Sequence, residues 1–358
     1  MKLGKGTSLL QTEDQNEGAL IQEEPTKEHA FDKFAQEIAS GNVSGKQVTR
    51  LLGGLLRDVF TSNEDKGSAT STGFLPVFPP RRENYGDFLE SGIEPEEVDY
   101  QTLRETICGA TDDSQAVEQY DGTLGVTTNF VNAQQRPVGN IHWNDDLAAI
   151  YTNPGDVSGE RWCSGTLISE DLFLTAGHCF DQRPSGWTVP RINGTPNSIP
   201  PTEIATNMHV DFNFQVDPRG NLRQEESFAI TQLQEHRFGG LDYAIVRLNG
   251  RPGDAFGVTR ISPVDAAVGD MLAIIGHPAG RAKRIEAGPA TDFHDTRIGY
   301  NDVDTLGGNS GSGILQSPQQ TIVGVHTNGG CTGDHSGHNH GHRISSLIDV
   351  SPLLRSLI

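Results

Sequence analysis

From about residue 106 onward, apolar residues come in short runs broken by Gly, Pro, Asn and Asp. Residues 124–131 (LGVTTNFV), 163–169 (CSGTLIS), 172–177 (LFLTAG), 242–248 (DYAIVRL), 271–276 (MLAIIG), 312–316 (SGILQ) and 321–327 (TIVGVHT) are such runs. Their length and their turn-forming flanks predict β-strands. No helical period persists until the end of the chain. There Ser351-Pro352 supplies an N-cap followed by proline at the first helical position, and Leu353 to Ile358 reads as a closing helix. Many short strands with one C-terminal helix predict an all-β domain built as a pair of antiparallel barrels.

Residues 1–105 have a different pattern. Ala30, Phe31, Phe34, Ala35 and Ile38 recur at helical spacing and predict one short amphipathic helix. A second starts at Ser44, with Gln47 as the partner in a capping box, and carries Val48, Leu51, Leu52 and Leu55. Between about 61 and 86 the chain turns to Ser, Thr, Gly and Pro, the composition of a linker. Two short helices bury little core, so residues 1–105 are expected to be an extension of a protein domain at 106–358, as a pro-segment or a tail. The first residues carry a basic start without an apolar stretch, unlike an ordinary secretory signal. Residues 31–56 resemble the leader of some twin-arginine-exported bacterial proteins, but Gly45-Lys46 stands in place of the arginine pair and Arg57-Asp58 interrupts the apolar run.

Charge narrows the partners. A formal net charge of -20 argues against nucleic acid or an anionic membrane surface and favours cationic peptides. No stretch approaches the roughly 18 continuous apolar residues of a membrane span. Four cysteines are too few for a disulfide scaffold. Cys163 and Cys179 flank a His motif and read as a pair; Cys108 and Cys331 either bridge the segment before the domain to a later loop or stay free.

Three motifs carry chemistry. Acyl transfer from a peptide needs an activated nucleophile, a base oriented to activate it, and donors for the developing oxyanion. Leu174-Thr175-Ala176-Gly177-His178-Cys179 puts an imidazole just after an apolar strand, in a loop that a Cys163–Cys179 bridge would steady. Leu241-Asp242-Tyr243-Ala244 puts a carboxylate at the head of a buried run, suited to fix the tautomer of that imidazole. Gly307-Gly308-Asn309-Ser310-Gly311-Ser312-Gly313 surrounds a hydroxyl with small residues. These admit substrate and permit a strained turn that aims the amides of Gly308 and Ser310 at one spot. A plain Gly/Ser loop and an ordinary Asp turn are the unremarkable alternatives, and the order His, Asp, Ser weighs against both.

Together, the sequences LTAGHC, LDYAIVRL and GGNSGSG resemble the trypsin-like bacterial endopeptidases, nearest the glutamyl endopeptidase branch. Gly276-His277-Pro278 and the GNSGSG form carry the resemblance to that branch, and it spans about residues 106–358. Gly313 departs from the family, in which a proline is usual. The resemblance implies two chymotrypsin-like Greek-key β-barrels, a serine endopeptidase with catalytic His178, Asp242 and Ser310, and no cofactor. It also implies a chain starting at Thr106 once a pro-segment is removed by a cut near Glu105-Thr106, which a glutamyl specificity would let the enzyme make itself; Arg81-Arg82 is a second candidate site, for another protease. The primary pocket would hold Thr305, His326 and Thr327, an arrangement suited to Glu or Asp. Asp304 stands where trypsin binds Arg or Lys, so a basic preference is the competing expectation, unless Asp304 points away or pairs with His326. The partners are then protein or peptide substrates, in a secreted or periplasmic setting, with a cytoplasmic signalling protease or a non-catalytic protease-like binding module as alternatives. His335, His338, His340 and His342 form a Gly/His stretch read first as a mobile surface loop and second as a transition-metal site.

Overall fold

A computed structural model of the protein describes residues 106–358. The two helices and the linker expected within residues 1–105 lie outside the described residues. A short strand β1 (Gln115–Ala116) opens the domain. Six strands then close a barrel: β2 (Val138–Trp143), β3 (Arg161–Leu167), β4 (Leu172–Thr175), β5 (Met208–Phe212), β6 (Glu226–Arg237) and β7 (Tyr243–Leu248). Around the barrel the order is β2-β3-β4-β7-β6-β5. Every neighbouring pair is antiparallel.

The second half contains β8 (Arg260–Ile261), β9 (Met271–Gly276), β10 (Arg284–Pro289), β11 (Asp292–His294), β12 (Arg297–Tyr300), β13 (Gly313–Ser317), β14 (Thr321–Asn328) and β15 (Asn339–Arg343). With β1 they make one nine-stranded sheet, ordered β1-β10-β9-β13-β14-β15-β12-β11 with β8 beside β14. The fold is the expected chymotrypsin-like class, with one correction. The second sheet does not close into a hydrogen-bonded ring, because β1 occupies the outer edge of β10 and β11 is the last strand at the other end.

Burial explains which strands read clearly. β4 and β7 are apolar almost throughout because nearly every residue is buried. β6 is mostly polar and largely exposed, so it leaves no apolar run in the sequence. Inside the first barrel, Phe212 stacks on Phe256 with centroids 4.7 Å apart and meets Phe173 and Phe228 edge-on. In the second half Leu272, Ile274, Ile298, Ile314 and Val323 surround the buried ring of Tyr300.

Two further expectations are corrected. Residues 128–134 are helical (α1, Thr128–Gln134), not extended. The Thr127 side chain accepts the Phe130 amide as an N-cap, and Phe130, Val131 and Gln134 face inward at helical spacing. The His-rich stretch is not all loop either, since residues 339–343 form β15 between β12 and β14. Shorter helices α2 (Leu147–Ile150) and α3 (Pro201–Thr206) connect strands of the first half, and α4 (Pro252–Phe256) leads from β7 to β8. The expected closing helix is present as α6 (Pro352–Ser356), preceded by α5 (Ile344–Val350). The Ser351 hydroxyl caps α6 by accepting the Leu354 amide at 3.0 Å. Among the described residues no helix is long and apolar enough to cross a membrane.

Truncating Phe212 to alanine removes the ring at the centre of the aromatic cluster. The expected loss of unfolding free energy is about 3–5 kcal/mol, read from urea denaturation.

Candidate active site

The first barrel delivers the imidazole. β4 runs into a 3-10 turn, Gly177–Phe180, that carries His178. Cys179 in that turn is bonded to Cys163 on β3, so the turn is fastened to the neighbouring strand. Asp242 begins the next barrel strand and reaches His178 twice. Its Oδ1 accepts the His178 amide at 2.9 Å, and its Oδ2 accepts the imidazole Nδ1–H at 2.6 Å. Burial alone would raise the Asp242 pKa. The charge of His178 and the two hydrogen bonds outweigh it and hold the carboxylate below its usual range. Nε2 of His178 is thereby the nitrogen left for proton exchange.

His236 on β6 was not legible as part of this arrangement. Its Nε2–H donates to the Gly177 carbonyl at 3.0 Å, and burial holds the ring below the ordinary imidazole range, which suits a neutral donor. Phe238 lies beside His178, with ring centroids 6.1 Å apart.

The second half delivers the hydroxyl. Gly308 adopts φ +110, and a Cβ there would lie 2.5 Å from the His277 carbonyl, so only glycine fits. At Gly311, with φ +88, a Cβ would fall 2.1 Å from Thr175 Oγ1. The turn is held from both sides. The amides of Asn309 and Ser312 close it internally onto Leu306 and Asn309, and the Gly311 amide donates to His326 at 2.8 Å. Ser310 is buried to within 6 % of its surface. Its carbonyl lies 4.0 Å from Cys179 Sγ, which brings the residue beside the His178 turn.

Ser164 joins the two halves, and no signal in the sequence distinguishes it. Its amide donates to the Ser310 carbonyl at 2.9 Å. Its hydroxyl donates to Gly308 O at 2.7 Å and accepts the His277 amide at 2.8 Å. The carbonyl of Ser164 accepts the Thr175 hydroxyl at 2.7 Å. One buried residue of β3 thus ties the Ser310 turn, the Gly276-His277 corner and the strand before His178.

The pocket residues group around the same turn. His326 is fully buried on β14, and its Nδ1 is hydrogen-bonded to the Tyr300 hydroxyl. Thr305 and Thr327 are buried, and neither hydroxyl finds a hydrogen-bond partner within the described protein. Asp304 is turned from this group toward the start of the domain. It accepts the Cys108 amide at 2.6 Å and the Asp113 amide at 3.2 Å. Burial, which these amides only partly offset, pushes its pKa up to about 7. The segment it holds is also covalently fixed, because Cys108 and Cys331 form a disulfide. Thr106 accepts from Thr305 N, Asn339 Nδ2 and Gly330 N and donates its hydroxyl to Asn339. The four imidazoles of the His-rich stretch do not converge. No described group of three side chains close enough to hold an ion includes any of them. Near His178 the only such group contains Cys163 and Cys179, whose sulfurs are bonded to each other.

Residues 163–325 match the family described as "Trypsin-like peptidase domain". This stretch of the chain is thus trypsin-like. Among curated proteins, the chain is similar to the "Extracellular metalloprotease" of Bacillus subtilis (strain 168), 25% identical over 210 residues, covering 56% of this chain and 59% of the relative. It is also similar to the "Secreted RxLR effector protein 73" of Plasmopara viticola, 33% identical over 101 residues, covering 25% of each. The chain spans less than two thirds of the length of either curated relative. A solved Glu endopeptidase in complex with MPD aligns over 68% of this chain and 96% of its own, at 20% identity and a TM-score of 0.40.

Ser164→Ala would leave the His277 amide and the Gly308 carbonyl without their buried partner. The expected cost is about 1–3 kcal/mol of unfolding free energy in urea; an unchanged midpoint would mean the clamp contributes nothing.

Proposed function

We propose that the protein is a secreted serine endopeptidase that prefers Glu or Asp before the scissile bond and is made as a zymogen. The observation that carries the catalytic part is the double hydrogen bond between His178 and Asp242, beside the buried Ser310 turn. Ser310 Oγ attacks the peptide carbonyl while His178 Nε2 takes its proton. The carbonyl oxygen, now an oxyanion, is held by the amides of Gly308 and Ser310. His178 returns the proton to the leaving amine, and water repeats the sequence on the acyl-enzyme. Asp242 stays ionised and stabilises the imidazolium. No step calls on a cofactor.

For specificity, the buried hydroxyls of Thr305 and Thr327 each have hydrogen-bonding capacity that the described protein does not use. A substrate carboxylate would take up that capacity. The competing basic preference rests on Asp304, whose two oxygens are engaged by the amides of Cys108 and Asp113. Matched peptides ending in Glu, Asp, Arg, Lys and Phe separate the readings. Glu is expected to be cleaved at least about 100-fold faster than Arg, within the roughly 10⁴–10⁵-fold discrimination open to a site that hydrogen-bonds its substrate. Faster cleavage after Arg would overturn the pocket assignment.

Residues 1–105 are read as the pro-segment. The four hydrogen bonds of Thr106 to Thr305, Gly330 and Asn339 support a chain start there, next to the pocket. After incubation, N-terminal sequencing is expected to find Thr106 first in the wild-type protein and the intact chain in Ser310→Ala. A wild-type chain that stays full length and fully active would sink the zymogen reading. The two disulfides and the "extracellular" in the name of the Bacillus relative support secretion. The "metalloprotease" in that name offers a second mechanism. Hydrolysis that survives 1,10-phenanthroline, a transition-metal chelator, supports the serine route; loss of hydrolysis restored by zinc would favour the metal.

A further inference from the structure

The second sheet buries a carboxyl group that the proposed catalysis does not use. Glu286 sits on β10, paired with Ile274 of β9. It is 3 % exposed, and neither carboxyl oxygen has a hydrogen-bond donor within the described protein. Burying an unsatisfied carboxylate is costly unless the group takes up a proton or a cation. Oxygens of Asp112, Glu286 and Asp304 all lie within 4.8 Å of one another. The same three residues line a small recess of about 10 Å³ together with Arg281 and Arg284, close to the space of one water molecule or one ion.

We propose that Asp112, Glu286 and Asp304 form a calcium-binding site that fastens the segment following Thr106 to the back of the substrate pocket. The donors are all oxygens, the preference of a hard cation. Calcium–oxygen distances of about 2.3–2.6 Å put opposite ligands up to about 5 Å apart. Oxygens within 4.8 Å of one another therefore suit calcium with little movement. Magnesium, at about 2.0–2.1 Å and reluctant to shed its water, suits so small a recess less well. Asp112 accepts the Ser114 amide on Oδ1 and the Arg281 guanidinium on Oδ2, and Asp304 accepts one amide on each oxygen. The free capacity belongs to Glu286, whose two oxygens accept from no donor within the described protein.

The charges balance as well. Asp113 also reaches Glu286, so four carboxyls face the guanidiniums of Arg281 and Arg284. Fully ionised, they leave two negative charges for a divalent cation.

The full chain carrying Ser310→Ala, which keeps the extension uncut, is stripped with EGTA and titrated with calcium chloride by calorimetry. Saturable binding of one calcium per chain is expected, with a melting temperature that rises with calcium. Glu286→Gln is expected to weaken binding at least about 30-fold, and Asp112→Asn provides the same test if the first variant folds poorly. In the stripped protein, Glu286→Gln should match or exceed the parent in melting temperature, because it removes a buried acid. Absence of saturable binding, or binding that both variants retain unchanged, would overturn the site and leave a proton-sharing carboxyl cluster in its place.

Discussion

The active-site arrangement depends on one buried residue, Ser164. Every polar atom it offers is used, and its four partners belong to three pieces of the site: the Ser310 turn, the His277 corner and the strand leading to His178. A hydroxyl in this position must find partners or incur the cost of desolvation. It finds them across the seam between the closed barrel and the second sheet. The proposed nucleophile, Ser310, and the proposed base, His178, come from separate halves of the chain, so their relative placement is only as precise as that seam. Gly308 and Gly311 are fixed to glycine by the same crowding, because the clamp draws the turn within reach of His277 and Thr175.

A second constraint acts from the start of the domain. Thr106 is bound to Thr305, Gly330 and Asn339, Cys108 is bonded to Cys331, and Asp304 receives the amides of Cys108 and Asp113. The chain from Thr106 to Asp113 and the pocket wall are therefore one structural unit. That coupling is a physical reason for the extension and the pocket to report on each other. It also gives Asp304 a structural use, since a carboxylate occupied by two amides has less to offer a substrate guanidinium.

How much of this was readable in the sequence follows from burial. β4, β7, β9 and β14 are buried along most of their length and announced themselves as apolar runs. β6 is exposed and left no run, and residues 128–134 resembled a strand because their apolar residues sit beside β-branched threonines. Only the Thr127 cap and the inward spacing of Phe130, Val131 and Gln134 reveal the helix. His178, Asp242 and Ser310 were legible because each sits in a motif of small or apolar neighbours. Ser164, His236 and Tyr300 were not, because their importance lies in partners far along the chain. Glu286 was equally hidden, as one acid in a chain with many.

The central claim is that Ser310 is a nucleophile activated by His178. Treating the protein with a fluorophosphonate and mapping the adduct by peptide mass spectrometry tests it most directly. The account predicts one stoichiometric adduct, on the peptide containing Ser310, formed far more slowly after His178→Ala. An unmodified Ser310 in the processed, folded protein, or an adduct that forms at the same rate without His178, would contradict it.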